Sequence, residues 1–76
     1  MKALGFFVQQ EIPVRDASRK ITHYQMVAFT REKIPTDREL AESYARYLER
    51  NGQGGRLLDQ DGNVVREWKR WLEYEN

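Results

Sequence analysis

One stretch of the chain, from Thr36 to Gly52, carries a nearly complete helix signal and constrains the fold more than any other feature. Thr36 followed by Glu39 forms a capping box, in which each side chain bonds a backbone N–H that has no partner inside the helix. Gly52 can adopt the left-handed conformation that commonly follows the last turn of a helix. The sequence therefore predicts one helix that begins at about Asp37 and ends before Gly52.

The predicted helix is amphipathic, which determines what it must pack against. Charged side chains occupy one face, where weak pairs four residues apart in contact with solvent are the ordinary outcome. The apolar side chains recur at helical spacing and are predicted to form one core-facing stripe: Leu40, Ala41, Tyr44, Tyr47 and Leu48. A helix of this kind, packed across a sheet of three or four strands, gives two layers around one core.

The residues before the helix predict a β-hairpin. Apolar side chains alternate over residues 4–14 and again over residues 21–30, with residues 15–20 as the connection. Pro13 has no backbone N–H to donate, so we expect the first strand to lie at an edge or to carry a bulge there. Asp16 and Ser18 can bond the backbone of the connection, which we expect to be a long, mobile loop.

The residues after the helix predict a second hairpin and then an ambiguous segment. Apolar pairs at 57–58 and 64–65 flank Asp61-Gly62, a dipeptide typical of hairpin turns. Beyond this turn the apolar positions fit a helical stripe as well as the alternation of a strand. We predict a short strand to about Glu67 followed by one or two helical turns, with strand remaining the alternative.

These patterns predict a single small α+β domain over residues 1–76. Its arrangement is a two-layer ββαββ domain, with one amphipathic helix on a mainly antiparallel sheet and a short C-terminal helix. A chain of 76 residues is too short for a second domain, and it buries only somewhat over ~60% of the surface that its unfolded form exposes. Because the chain has no cysteine, stability beyond a marginal core must come from packing or self-association.

Composition narrows the classes of function. A formal net charge of +1 with 33% charged residues indicates a mixed, soluble surface, without the basic excess of proteins whose binding is dominated by phosphate neutralisation. The apolar run near the N-terminus is too short for a secretory signal, and no stretch approaches the ~20 apolar residues of a membrane span. We therefore expect a cytoplasmic protein without membrane contact.

No residue pattern indicates catalysis, a cofactor or a metal. His23 is the only histidine, and the serines lack the base and orienting acid that a nucleophile needs. Asp59, Asp61 and Asn63 are spaced like the first ligands of a calcium loop, but Arg70 stands where that loop needs a bidentate glutamate. We expect a protein that is not an enzyme, with no catalytic, cofactor-binding or metal-binding residues.

The first of two remaining classes is a small intracellular binding protein that acts through protein-protein contact. It would serve as an adaptor, regulator or inhibitor, a type that occurs among mobile-element and phage proteins. Aromatic residues and arginine are enriched where interfaces carry their energy, and the C-terminal part concentrates them. The predicted partner-binding residues are Trp68, Lys69, Arg70, Trp71 and Tyr74. The alternative is that both tryptophans belong to the core, and burial of Trp71 and Tyr74 between two copies would give a homodimer.

The second class is a nucleic-acid-binding accessory protein that uses a local basic and aromatic patch. Lys69 and Arg70 form a cationic pair between rings that could stack on bases. The other predicted nucleic-acid contacts are Arg15, Arg19, Lys20, Arg31 and Lys33. A simple antiparallel hairpin places the first three and the last two at opposite ends, so these cations do not converge. We favour protein binding because the overall charge is nearly balanced.

Overall fold

The computed structural model describes residues 5–31 and 35–75, which form one antiparallel sheet and one helix. The strand order in the sheet is β2-β1-β3-β4, and α1 packs on β1 and β3. The elements are β1 (Phe6–Arg15), β2 (Ile21–Ala28), α1 (Arg38–Arg50), β3 (Gly55–Asp59) and β4 (Val64–Trp68). The predicted two-layer ββαββ order is confirmed.

The first hairpin, formed by β1 and β2, extends beyond the end of β3. Residues 6–10 of β1 pair with β3, whereas residues 9–15 of β1 pair with β2. Pro13 lies beyond the end of β3, on a part of β1 that has a described strand on one side only. Glu11 donates its N–H to Gly54 O, towards β3, and backbone N–H groups alternate sides along a strand. The nitrogen of Pro13 therefore faces the free side, which confirms the predicted edge position.

The core lies between the sheet and the helix. Leu48 and Val8 are fully buried and Leu57 is 1% exposed, and Phe29 and Tyr44 pack against the rim of this core. The buried side chains are Phe6, Val8, Ala41, Ala45, Leu48, Leu57 and Trp68. The core is therefore small, and it depends on a few large side chains.

The helix is buried along a narrower stripe than the sequence predicts. Ala41, Ala45 and Leu48 face the sheet, at positions four and three residues apart. Leu40 and Tyr47 are 44% and 57% exposed, so their predicted place in the stripe is wrong. Alanine side chains are small and let the helix approach the sheet closely, and only a narrow strip of the helix then faces the core.

The helix begins one residue later than the capping box predicts, because Thr36 has another partner. Thr36 and Phe6 exchange two backbone hydrogen bonds of 2.8 Å, which continue the sheet beside β1. Asp37 is the N-cap, and its Oδ1 accepts the N–H of Leu40 at 2.9 Å. The predicted cap at Thr36 is therefore wrong, and the side chain that satisfies the first turn is a carboxylate.

Asp37→Ala is expected to lower the free energy of unfolding by about 0.5–2 kcal/mol, because it removes the cap. Thr36→Ala is the matched control, since the bonds of Thr36 to Phe6 use only backbone atoms. Urea denaturation of both variants checks the assignment. A larger loss for Thr36→Ala than for Asp37→Ala would contradict it.

Both hairpin turns are closed by an aspartate. Asp16 Oδ1 accepts bonds from the Ser18 N–H at 2.8 Å and from the Lys20 N–H at 3.1 Å. Asp59 Oδ1 accepts the N–H of Asp61 and the N–H of Asn63 at 2.9 Å. The hydrogen bond from the Ser18 hydroxyl lowers the pKa of Asp16, and the backbone N–H of Asn63 lowers the pKa of Asp59. These carboxylates are therefore turn-forming groups, and the first loop is a closed turn over residues 16–20.

The predicted C-terminal helix is wrong for the described residues. Residues 69–75 contain no helical turn. The N–H groups of Trp71 and Leu72 both bond the carbonyl oxygen of Gly52 at 2.9 Å. In a helix, backbone N–H groups bond carbonyl groups of the preceding turn. Here the N–H groups of Trp71 and Leu72 bond Gly52, just after the end of α1.

Candidate protein-binding surface

Residues 69–75, here called the C-terminal segment, continue from β4 across the end of α1. The anchor is Gly52, whose carbonyl accepts the two N–H groups described above. Gly52 is buried with a φ of 82°, and a Cβ at this position would lie 2.8 Å from Leu72 Cβ and 3.1 Å from Trp71 Cδ2. The absence of a side chain at Gly52 therefore lets the C-terminal segment lie directly on the backbone.

Trp68 belongs to the core. The residue is 8% exposed, and its ring covers Gly55, where a Cβ would lie 2.5 Å from Trp68 Cζ2. The indole Nε1–H donates to Gln53 O at 2.9 Å, and the guanidinium of Arg66 lies 4.9 Å from the ring centroid. Of the two interpretations that the sequence left open for Trp68, core packing is the one that this geometry supports.

Arg70 and Tyr74 tie the C-terminal segment to the first hairpin. Arg70 Nε lies 3.2 Å from Glu11 Oε1, and its guanidinium lies 4.0 Å from the ring centroid of Tyr24. Tyr74 packs on the same ring, with centroids 6.3 Å apart. Only 25% of the Arg70 side chain is exposed. The guanidinium of Arg70 is therefore largely engaged by Glu11 and Tyr24 of the same chain.

Trp71 is the large side chain of the segment that faces outwards. It is 65% exposed, yet its Nε1–H donates to Glu49 O at 3.0 Å and its backbone N–H is held by Gly52. Leu72 is 37% exposed beside it, and Lys69 is exposed at the start of the segment. A broad apolar ring is thus presented in one orientation, which is the geometry of an interface anchor.

The structure does not bring the predicted nucleic-acid contacts together. Arg15, Arg19 and Lys20 lie at the tip of the first hairpin, where Arg15 donates to Arg19 O at 2.6 Å and to Glu75 O at 3.0 Å. Arg31 follows the opposite end of β2. Lys33 lies outside the described residues. The described cations are therefore separated along the hairpin, as the sequence predicts.

A polar depression of about 400 Å³ lies on the sheet face opposite the helix. Its charges are largely paired with one another, since Arg56 Nε lies 3.0 Å from Glu67 Oε2 and Arg70 bonds Glu11. In the described part of the chain, no group of three or more His, Cys, Asp and Glu side chains could hold a metal ion. The depression thus offers few free charges to a ligand.

Sequence reasoning missed the surface that supports Trp71. Gly52 was identified only as a helix stop, and the backbone carbonyl of Glu49 carries no sequence signal.

Among residues 5–31 and 35–75, no helix is long and apolar enough to cross a membrane. Comparison with protein-family models, curated proteins and solved structures found no match to this chain.

Gly52→Ala is expected to lower the free energy of unfolding by about 1–3 kcal/mol, because the new Cβ overpacks against the C-terminal segment in a left-handed backbone. Gly62→Ala is the matched control: Gly62 has a φ of 85° but no atom within 4 Å of its would-be Cβ. Urea denaturation measures both losses. Equal losses in the two variants would show that packing against the C-terminal segment contributes nothing.

Proposed function

We propose that the protein is a small non-enzymatic binding protein that contacts a protein partner through the surface around Trp71. The observation that carries this proposal is that Trp71 is 65% exposed while its indole N–H and its backbone N–H are both bonded. Exposed aromatic rings that are already ordered lose little conformational entropy on binding. They are therefore suited to act as interface hot spots.

The surroundings of Trp71 favour a protein over a nucleic acid. Arg70, the nearest arginine in sequence, is neutralised by Glu11 and covered by Tyr24. The predicted nucleic-acid contacts at the tip of the first hairpin are separated from Arg31, so these cations do not form one continuous basic track for phosphates. Nucleic-acid binding is the alternative, and it predicts an affinity that falls steeply as salt concentration rises.

The test is affinity capture from the source cell with the wild-type chain, Trp71→Ala and Tyr47→Ala. Tyr47→Ala is the matched control, because Tyr47 is a comparably exposed aromatic residue at 57% on α1. Each capture is repeated after nuclease digestion, and circular dichroism verifies that each variant is folded. We expect a protein that binds the wild type and Tyr47→Ala in stoichiometric amount, resists nuclease and is lost with Trp71→Ala.

Two outcomes would contradict the proposal. A partner retained equally by Trp71→Ala would place the interface elsewhere. Capture that disappears after nuclease digestion, together with salt-sensitive gel shifts on mixed DNA and RNA, would establish the nucleic-acid alternative.

A further inference from the structure

Among the described residues, the outer edge of β2 is an open strand edge without the charges, proline or short length that usually protect one. The described part of the chain places no strand beyond β2. Residues 21–30 include no Asp, Glu, Lys, Arg or Pro, in a chain of which 33% is charged. Natural edge strands are usually kept from pairing by charged side chains, proline, bulges or short length. The open edge of β2 therefore remains competent to pair.

The opposite edge of the sheet provides the contrast. β4 has five residues, with a register irregularity opposite Leu57 and Leu58 that leaves Val65 unmatched. Arg66 and Glu67 place charges in the same strand. In β2 the irregularity lies opposite Val14 and Arg15, at the hairpin tip, and leaves residues 23–28 regular. One edge of the sheet is thus protected and the other is not.

The ladder defines which backbone groups of β2 point outwards. The N–H of Glu11 points towards β3, so the N–H groups of even-numbered residues in β1 point towards β2. Gln10 lies opposite Val27 and Ile12 lies opposite Gln25, so these residues of β2 exchange bonds with β1. The outward N–H and C=O groups on the regular stretch therefore belong to Tyr24, Met26 and Ala28.

We infer that two copies of the chain pair through the outer edges of β2, antiparallel and about a two-fold axis, to form one continuous eight-stranded sheet. A closed two-fold contact places the same surface on both copies. The register that uses every outward group of the regular stretch is centred on Met26, with Tyr24 opposite Ala28 of the second copy. Because residues 21–30 are uncharged, this pairing sets no like charges opposite each other within that stretch. Over residues 21–30 a second copy therefore meets no like-charge repulsion at this edge.

The pairing is independent of the surface around Trp71. Met26 and Val27 are only half-buried in the single chain, and α1 packs on β1 and β3. A second β2 would cover part of this surface and satisfy the outward backbone groups. It would leave the bonds of Trp71 to Glu49 and Gly52 unchanged, so the two interfaces can be tested separately.

The test is sedimentation equilibrium of the wild type, Met26→Pro, Met26→Ala and Trp71→Ala. Proline at position 26 removes an outward N–H and leaves the bonds between β1 and β2 intact, since edge strands accept proline there. Met26→Ala removes the same side chain but keeps the N–H. We expect a wild-type dimer whose dissociation constant rises about tenfold or more with Met26→Pro, because each dimer loses two hydrogen bonds, and changes far less with Met26→Ala and Trp71→Ala.

Ala28→Pro is the second variant if Met26→Pro fails to fold. It removes another outward backbone N–H, and it replaces only a small side chain. Hydrogen exchange gives a direct readout: amides of Tyr24, Met26 and Ala28 should gain protection as protein concentration rises, and the outward amide of Glu67 on β4 should not. A wild type that stays monomeric from micromolar to high micromolar concentration overturns the inference. A dimer dissociated by Trp71→Ala and unaffected by the proline variants also overturns it.

Discussion

Trp68→Ala is expected to lower the free energy of unfolding by about 3–5 kcal/mol, the usual cost of removing a large aromatic side chain from a core. Its indole fills the space over Gly55 and bonds Gln53 O. The truncation also takes away the ring that the Arg66 guanidinium covers. A loss of this size is a large fraction of the total stability of a small domain.

Trp71→Ala is the matched control for this prediction, because the two tryptophan residues lie three positions apart and differ in exposure, 8% against 65%. Its loss should be about 1 kcal/mol or less, from one hydrogen bond to Glu49 and little buried area. Urea denaturation followed by circular dichroism measures both variants. Equal losses would contradict the assignment of Trp68 to the core and Trp71 to the surface.

Leu48→Ala is expected to lower the free energy of unfolding by about 2–5 kcal/mol, because it leaves a cavity between the helix and the sheet. Leu48 is the largest fully buried side chain of the helix. The neighbouring Tyr47 is 57% exposed, so Tyr47→Ala should cost about 1 kcal/mol or less. Thermal and urea denaturation of both variants provide the measurement. A Leu48→Ala variant as stable as the wild type would contradict the orientation of α1.

The element order could be predicted from the sequence because each element carries a local signal. Alternating apolar residues marked β1 and β2, and Asp61-Gly62 marked the second hairpin, where Gly62 has a φ of 85°. Leu48 followed the helical period and is buried. These signals depend on neighbours along the chain, so they remain readable without the tertiary structure.

The two errors in placing helix ends and turns, at Thr36 and at residues 69–75, share one physical cause, which is competition from partners distant in sequence. Thr36 matches a capping box, but its backbone bonds Phe6 and Asp37 becomes the cap. Residues 69–75 match a helical stripe, but Gly52 accepts the N–H groups of Trp71 and Leu72. In both cases a backbone group distant in sequence supplied the hydrogen bond that overrode local propensity.

The candidate surface shows the same division. The sequence identified the aromatic cluster, and its spacing left core and interface equally open for Trp71. The structure separates the cluster into a buried Trp68, an Arg70 paired with Glu11, and an exposed Trp71 held by Glu49. Exposure and charge pairing depend on the packing of distant elements, so they could not be predicted from residue order.

The sequence by itself determined the four strands, the helix between them, their order and the two-layer class of this protein, because periodicity and turn residues act over a few neighbouring positions. Only the tertiary structure decided which edge of the sheet is protected, which tryptophan is presented to solvent and how the last residues are held. Strand order, the irregular pairing of β4 and the bonds to Gly52 all join residues far apart in the chain. Their energies arise only when the sheet and helix have packed together.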